Sequence, residues 1–369
     1  MVSKILLVRL RQIGDVVFTT PAIHALRRNF PAAHLTYLVE PAAAPIVAHN
    51  PHLDEVIIAP RSRGVRGVID DLALGRRLRA ERFDLAIDFH GGPRASLLTW
   101  LSGAPERVGY EVNGRGWMYT TRVGRPRELR PRHSVVNQWD LLAALAVPPP
   151  DPETAPTEMT VDRRAAAAVD ERLARAGVGA ADRIVVVHVS AGNPFRRWPP
   201  DHFVELTTAL AGEDAARRVV ITSGPSDEEA AARVIASARE RLGPEAGARV
   251  LSCGEFSLAE LRALLDRATL YIGGDSGPLH VASTTGVPIV GLYGPTLPER
   301  SAPWRSAVYA TESVDAGPLP CRPCEQRVCA PGDFRCLIAI RPRQVVEAAQ
   351  RALSRPATPE VTGRSTPDH

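Results

Sequence analysis

Two stretches about 260 residues apart place groups that could do chemistry at the starts of helices: Arg11-Gln12-Ile13-Gly14-Asp15 and Gly273-Gly274-Asp275-Ser276-Gly277-Pro278-Leu279-His280. A strand that ends in two glycines and turns into a helix leaves backbone N–H groups unpaired beside the positive end of the helix dipole, and such a place takes a phosphate. Gly277 lets the backbone approach a ligand closely and Ser276 adds a hydroxyl donor, although Asp275 or Ser276 could instead be a plain N-cap. In the first stretch a carboxylate stands where a phosphate-binding loop avoids one. The G-x-G-x-x-G spacing is also missing, which argues against a dinucleotide-dependent dehydrogenase. A helix N-terminus holds Asp15 as the anion; it is either a structural cap or, facing a cleft, a base that accepts a hydroxyl proton.

Three further groups carry potential chemistry. Ser190-Ala191-Gly192-Asn193-Pro194-Phe195-Arg196-Arg197-Trp198-Pro199 follows a strand, and its adjacent Arg196 and Arg197 could clamp a departing diphosphate if no metal does that work; the alternative is a solvated pair. Asp88-Phe89-His90-Gly91-Gly92-Pro93-Arg94 ends another strand on the same edge as Asp15, so Asp88, His90, Gly91 and Arg94 could line an acceptor pocket with Gly14; Asp88 could equally cap the next helix. Four of the five cysteines cluster as Cys321-x2-Cys324-x4-Cys329-x6-Cys336. That spacing allows a structural zinc, and free thiols or disulfides are the other readings; Cys253 reads as a core residue.

The elements that position these residues alternate. Aliphatic strands at Ile5 to Val8, Leu35 to Val39, Val56 to Ile58 and Leu85 to Ile87 alternate with helical stretches at Thr20 to Asn29, Asp70 to Ala80 and Arg94 to Leu101. The Pro-rich stretch at 151–160 then marks a linker between a first domain, 1–150, and a second, 161–341. Alternation resumes there, with strands at Ile184 to Val189, Val219 to Thr222, Val250 to Leu251, Leu270 to Ile272 and Ile289 to Leu292. Strand and helix in alternation predict an α/β protein of two parallel sheets, each covered by helices, with ligands at the carboxyl edges. A last amphipathic helix is expected at 342–354, and the tail at 355–369, rich in Pro, Thr and Ser, is expected to be disordered.

The length suits two domains with sizeable cores. No apolar run approaches the ~18 residues of a membrane span and no leader precedes the first strand, so a cytoplasmic protein is expected, with surface contact with a membrane left open. The net charge is +4, yet residues 1–150 hold 20 Lys or Arg against 13 Asp or Glu, and the remainder 25 against 28. The basic first half suits an acidic partner, a phosphorylated glycan, an anionic lipid surface or nucleic acid, or else reflects solvated arginine faces. Arg61 and Arg63, with Arg66, put three arginines into six residues after a strand end on the cleft side and are candidate acceptor contacts.

Together the motifs resemble glycosyltransferase family 9, the ADP-heptose:lipopolysaccharide heptosyltransferases and their relatives. The resemblance runs over residues 4 to 353. It rests on Arg9-x4-Gly14-Asp15-Val16-x2-Thr19-x-Pro21, Asp88-x-His90-Gly91, Arg196-Arg197-Trp198-Pro199, Gly274-Asp275-Ser276-Gly277-Pro278-Leu279-His280 and Gly291-Leu292-Tyr293-Gly294-Pro295-Thr296. It implies a GT-B fold, with the acceptor on the first domain, an ADP-activated sugar on the second, and a final helix crossing back to the first domain. By position it implies that Asp15 is the general base and that Arg196 contacts the donor phosphates. It further implies that Ser276 and Gly277, with Asp275 and His280, form the phosphate turn, that Glu228 meets the ribose and that Phe256 packs on adenine. Arg196 stands where Lys is usual, and His90 where many relatives have Gln.

The reaction implied is transfer of a heptose from ADP-heptose to a lipopolysaccharide core or lipid A acceptor at the inner membrane surface. One displacement inverts the anomeric centre, with no catalytic metal and no nucleic-acid partner. A non-catalytic sugar-nucleotide binder and a sugar-nucleotide epimerase on the same fold are the alternatives.

Overall fold

The computed structural model describes residues 2–124, 132–324 and 327–355. Apart from Arg355, the tail expected to be disordered lies outside the described residues.

The first half folds as β1 (Lys4–Val8), β2 (His34–Val39), β3 (Glu55–Ile58), β4 (Leu85–Asp88), β5 (Glu106–Tyr110) and β6 (Thr121–Val123). They form a parallel sheet in the order β3-β2-β1-β4-β5-β6. The second half repeats the plan with β7 (Arg183–His188), β8 (Arg217–Thr222), β9 (Val250–Ser252), β10 (Ala268–Gly274), β11 (Ile289–Tyr293) and β12 (Thr311–Asp315), in the order β12-β11-β10-β7-β8-β9. The central strands are aliphatic because helices cover both faces: Ile5, Leu6, Leu7 and Val8 of β1 and Val185, Val186 and Val187 of β7 are fully buried. In each half the strand order reverses between the first and fourth strands, which opens a crevice at their carboxyl ends.

The sequence reading missed β5, β6 and β12. β6 and β12 are edge strands, and their residues Thr121–Val123 and Thr311–Asp315 are too polar and too short to make an aliphatic run.

The halves meet at the starts of two short helices. Ile13–Val17, directly after β1, packs on Gly277–Ala282, directly after β10. A Cβ on Gly14 would lie 2.3 Å from Cδ2 of His280, and one on Gly277 would lie 2.8 Å from Cγ2 of Ile13. Only glycine allows both approaches. Apolar packing is continuous across this seam, from Val16, Val17 and Phe18 to Leu279 and Val281.

The Pro-rich stretch has no helix or strand, as its composition requires, but it is a docked segment, not a loose linker. Ala155, Thr157 and Met159 are buried. Glu158 N donates to Thr20 Oγ1 of the first half at 2.8 Å, while Thr157 N donates to Trp304 O of the second at 3.0 Å.

The last helix, Pro342–Ser354, corrects another expectation. It does not cross back to the first domain. Its buried face of Val345, Ala348, Ala349 and Ala352 joins the core of the second half, against helix Pro200–Glu213 and strands β10 to β12. Trp198 Nε1 donates to Ile340 O at 2.9 Å, and Arg351 Nε meets Glu312 Oε2 at 3.1 Å. Amphipathic spacing defines a buried face but not the surface that covers it, so the sequence could not choose between the halves.

Candidate active site

Loops that follow β1, β4, β7, β8, β9, β10 and β11, with the end of β5 and the start of helix Ser134–Ala143, line one cleft of about 1050 Å³ between the halves. Asp15, Gly14 and Phe18 stand on its first-half wall; Arg196, Phe256, Asp275, Ser276, Gly277 and His280 stand on the other. The phosphate-turn candidates and the carboxylate therefore face one space.

Asp15 sits at the third position of helix Ile13–Val17 and reaches back to the cap, accepting Gln12 N–H on Oδ2 at 3.3 Å. The same oxygen pairs with Arg9 Nη2 at 2.6 Å. Both contacts use Oδ2, and the side chain is 37% exposed, which leaves Oδ1 to the cleft. Burial would raise the Asp15 carboxyl, but the Arg9 guanidinium, the Gln12 N–H and nearby His280 together hold it below the usual carboxylate range. The group is thus both cap and cleft-facing anion.

Arg9 is the member of this site that sequence reasoning left without a role. It is buried, donates to Phe89 O at the carboxyl end of β4, pairs with Asp15 and lines the cleft beside it. Its place at a strand end, five residues before Gly14, was the available signal. Gln138, from helix Ser134–Ala143, gave none: its Oε1 accepts Thr19 Oγ1–H at 2.8 Å and so fixes the far end of the Asp15 helix.

A second, polar pocket of about 350 Å³ opens on Asp15, lined by Arg9, Arg11, Gln12, His90, Gly91 and Gly92. His90 and Gly91 are thus at the base, whereas Asp88 is not. Asp88 is fully buried, accepts His90 N at 2.8 Å, Gly91 N at 2.9 Å and Tyr119 O–H at 2.5 Å, and shapes the turn in which Gly91 takes a φ of 66°. Burial pushes its carboxyl up. Its role is to hold that turn: it is neither an acceptor contact nor the cap of the next helix, Pro93–Leu101, whose N-cap is Gly92.

Arg94 is also redirected. It bonds Asp71 and Glu40 and donates to Pro60 O, a buried tie between three elements and not a pocket wall. Arg61 and Arg63 lie on the exposed surface after β3, outside both pockets, with Arg61 only 3.9 Å from Glu40.

On the donor wall, Asp275 is buried beneath the turn. Thr296 Oγ1 donates to its Oδ2 at 2.5 Å, Arg196 Nη1 lies 3.2 Å from Oδ2, and His280 Nε2 lies 3.4 Å from Oδ1. Desolvation opposes its ionisation, yet His280, Arg196 and Thr296 bring its pKa to about 2. Arg196 also donates to Asp275 O at 2.9 Å and is part exposed to the cleft.

Arg197 turns away. Its Nη2 pairs with buried Asp227 at 3.0 Å and its Nε donates to Ala191 O at 3.1 Å, so the two arginines do not form one clamp. Arg196 closes the turn Pro194–Arg196 and Arg197 is extended, which sends successive side chains to opposite sides. Glu228 starts helix Glu228–Gly247 on its exposed side, outside the cleft lining, where neighbouring Pro225 and Ser226 take its place. Phe256 does line the cleft, with the Arg172 guanidinium 4.0 Å from its ring centroid on the outer side. His188, unnoticed in the sequence, lines the floor; burial lowers its pKa to about 4.

The four clustered cysteines gather in space: burial raises Cys336 and the other three thiols act on it electrostatically. Among the described residues, however, no three of their sulfurs come within 4.8 Å of one another, against roughly 3.8 Å between sulfurs on a tetrahedral zinc with 2.3 Å bonds. As placed, they are not a closed zinc cage. Cys253 packs against the main core, half-buried.

The model of glycosyltransferase family 9 (heptosyltransferase) matches residues 72–331. The chain is 27% identical over 315 residues to lipopolysaccharide heptosyltransferase 3 of Escherichia coli, covering 84% of this chain and 88% of that one. The fold is similar to the crystal structure of a family 9 glycosyl transferase from Veillonella parvula, with a TM-score of 0.82 at 24% identity over 95% of this chain and 97% of that one. It is also similar to the E. coli ADP-heptose lipopolysaccharide heptosyltransferase II, with a TM-score of 0.75 at 21% identity over 95% and 98%. The two facing sheets are thus a GT-B fold, and with a family match that spans most of its length, this chain belongs to glycosyltransferase family 9.

Proposed function

We propose that this protein transfers a heptose from an ADP-activated donor to a lipopolysaccharide core acceptor, with inversion. The observation that supports this most directly is the placement of an ionised carboxylate and a phosphate-suited turn on opposite walls of one cleft. The diphosphate lies against Ser276 and Gly277, where backbone N–H groups and Arg196 neutralise the charge that develops on the leaving group. Phe256 offers an apolar face to the adenine, its other side already taken by Arg172. The acceptor hydroxyl enters from the pocket of His90 and Gly91, beside Oδ1 of Asp15.

The acceptor oxygen then forms a bond to the anomeric carbon as the carbon–oxygen bond to ADP breaks on the far face, and the hydroxyl proton passes to Asp15. One such displacement inverts the centre and needs no nucleophilic side chain. No catalytic metal takes part in this scheme; a structural zinc at the four cysteines would draw their loop inward and is a separate proposal. The protein acts on the cytoplasmic side of the inner membrane; among the described residues no helix is long and apolar enough to cross a membrane.

The test is incubation with ADP-heptose and truncated lipopolysaccharide cores, read by mass spectrometry of the glycan and by the anomeric configuration of the product. A core heavier by one heptose, inverted at the new linkage, is expected. Release of ADP without an acceptor, or binding without turnover, would overturn the proposal and leave an epimerase-like or a purely binding role.

A further inference from the structure

Helix Gly64–Ala80 has two apolar faces where a surface helix needs one. Leu74, Gly75 and Leu78 are buried, and the helix packs there against Pro93–Leu101, so closely that a Cβ on Gly75 would lie 2.7 Å from Leu101 Cδ1. The other face is in solvent. Val65 is 78% exposed, Val68 60%, Ile69 59% and Leu72 44%. At 100° per residue these four span an arc of about 100°, one continuous stripe. Ile58, at the end of β3 just before this helix, is 54% exposed and adds to it. Isolated apolar side chains on a surface are ordinary; five large ones around one helix start are not.

The charge around the stripe is of one kind. Arg61, Arg63 and Arg66 stand exposed about its first turn, and Arg76 and Arg79 are exposed further along the helix. The acids of this helix are turned inward: Asp70 accepts Ser62 Oγ–H at 2.5 Å and Asp71 holds Arg94 at 2.7 Å. With Arg94 also donating to Pro60 O, the loop that carries Arg61 and Arg63 is held at its base. An apolar stripe on a helix flanked by arginines is the pattern that lies in the interface of an anionic bilayer, apolar residues among the acyl chains and guanidinium groups on the phosphates. The helix begins at the carboxyl edge of the first sheet, the edge on which the acceptor pocket opens.

We propose that helix Gly64–Ala80, through Val65, Val68, Ile69 and Leu72 with Arg61, Arg63 and Arg66, is the surface by which this protein docks on an anionic lipid bilayer. This deepens the reading that the acceptor is held in a membrane, and it assigns the basic excess of the first half to lipid phosphates in place of the bound acceptor. A free water-soluble acceptor would not need the stripe.

Flotation of the full chain with acceptor-free vesicles tests it, since no donor or acceptor is then present. Vesicles of phosphatidylethanolamine with phosphatidylglycerol should carry the protein, and vesicles of phosphatidylcholine alone should not. Replacing all three arginines (Arg61→Gln, Arg63→Gln, Arg66→Gln) should weaken binding by about 10²-fold, on the scale of about 1 kcal/mol per arginine. The double change Val68→Ser and Ile69→Ser should weaken it about tenfold or more. Both variants should keep the wild-type melting temperature, because every altered side chain is exposed, and should keep turnover on a deacylated, soluble core while losing it on core embedded in vesicles. Equal binding to both vesicle types, or binding unchanged in both variants, would overturn the proposal. So would a wild-type dimer that the double variant dissolves without any vesicle binding, which would give this surface to a second copy of the chain. A protein that floats normally yet transfers nothing would overturn the transferase reading and leave this one standing.

Discussion

Asp15 serves two partners on one oxygen, and in the proposed mechanism the other accepts the acceptor proton. Replacing it with Asn preserves the size and the contact with Gln12 N–H but removes the proton acceptor, so kcat is expected to fall about 10²-fold or more, the usual scale of a lost general base. Affinity for ADP should not change, because the donor groups are on the opposite wall. Loss of ADP binding in Asp15→Asn would place the residue at the donor instead. Because Arg9 and its neighbours hold the carboxyl low, Asp15 stays ionised throughout mildly acidic solution, and kcat should show no acid limb from this group above its ordinary value of 3.8. The arginine pair offers a sharper contrast. Arg196→Ala should weaken ADP binding by about 1.5–3 kcal/mol, the value of a hydrogen bond to a charged group, while Arg197→Ala should leave it nearly unchanged because that side chain is committed to Asp227. Calorimetry on the two variants decides; equal losses would mean that both reach the diphosphate.

At the scale of elements, the interlock of the two short helices gives Gly14, on the cleft wall, a packing role. Gly14→Ala puts a methyl group 2.3 Å from the ring of His280, which must then shift and disturb Asp275 below it. A stability loss of about 1–3 kcal/mol is expected, as for other overpacked cores, together with weaker ADP binding; unfolding by urea and calorimetry would show both. A variant of normal stability and affinity would mean that the seam is loose.

Much of this arrangement was legible in the sequence, because aliphatic strands ending in glycine-bearing turns mark the carboxyl edge of a parallel sheet. That logic pointed to Asp15, Arg196 and the turn at Ser276, which the fold brings to one cleft. It failed where the decision lies in the direction of a side chain. Arg94, Arg197 and Asp88 have the right type at the right edge, but each is satisfied by a buried partner distant in sequence, at Glu40, Asp227 and Tyr119. It also began helix Gly64–Ala80 late, at Asp70, because Gly64 and Gly67 weaken the helical signal just where the exposed stripe starts.

For the whole molecule, two desolvated imidazoles, buried His188 and part-buried His133, shape the response to acid. Burial lowers both His133 and His188 from 6.5 to about 4. His133 Nδ1 accepts Val135 N–H at 3.2 Å, and its Nε2 lies 2.9 Å from Ala302 O, which suits the neutral ring with its proton on Nε2. Since each folded pKa lies below the unfolded value, the unfolded chain binds the protons first. The stabilising contribution is therefore complete above about pH 6.5 and is lost as pH falls towards 4, at most about 3 kcal/mol for each ring. Urea midpoints measured across that range should fall steeply for the wild type and less for His188→Gln. A flat profile would mean that neither ring is buried in solution.

The seam where Gly14 meets His280 and Gly277 meets Ile13 has a mechanical consequence. A body turning about a fixed point moves each of its parts in proportion to the distance from that point. With the halves fastened at the starts of these two helices, any opening of the enzyme swings about an axle beside the reacting atoms. Asp15 and Ser276 would then stay almost in register, as would the start of helix Ser134–Ala143, which His133 and Ser134 tie to Ala302 and Arg300, while the wall at Ser223 and Pro225 travels further. The enzyme could thus admit a bulky glycan and discharge ADP through a wide mouth without dismantling the few contacts on which the displacement depends.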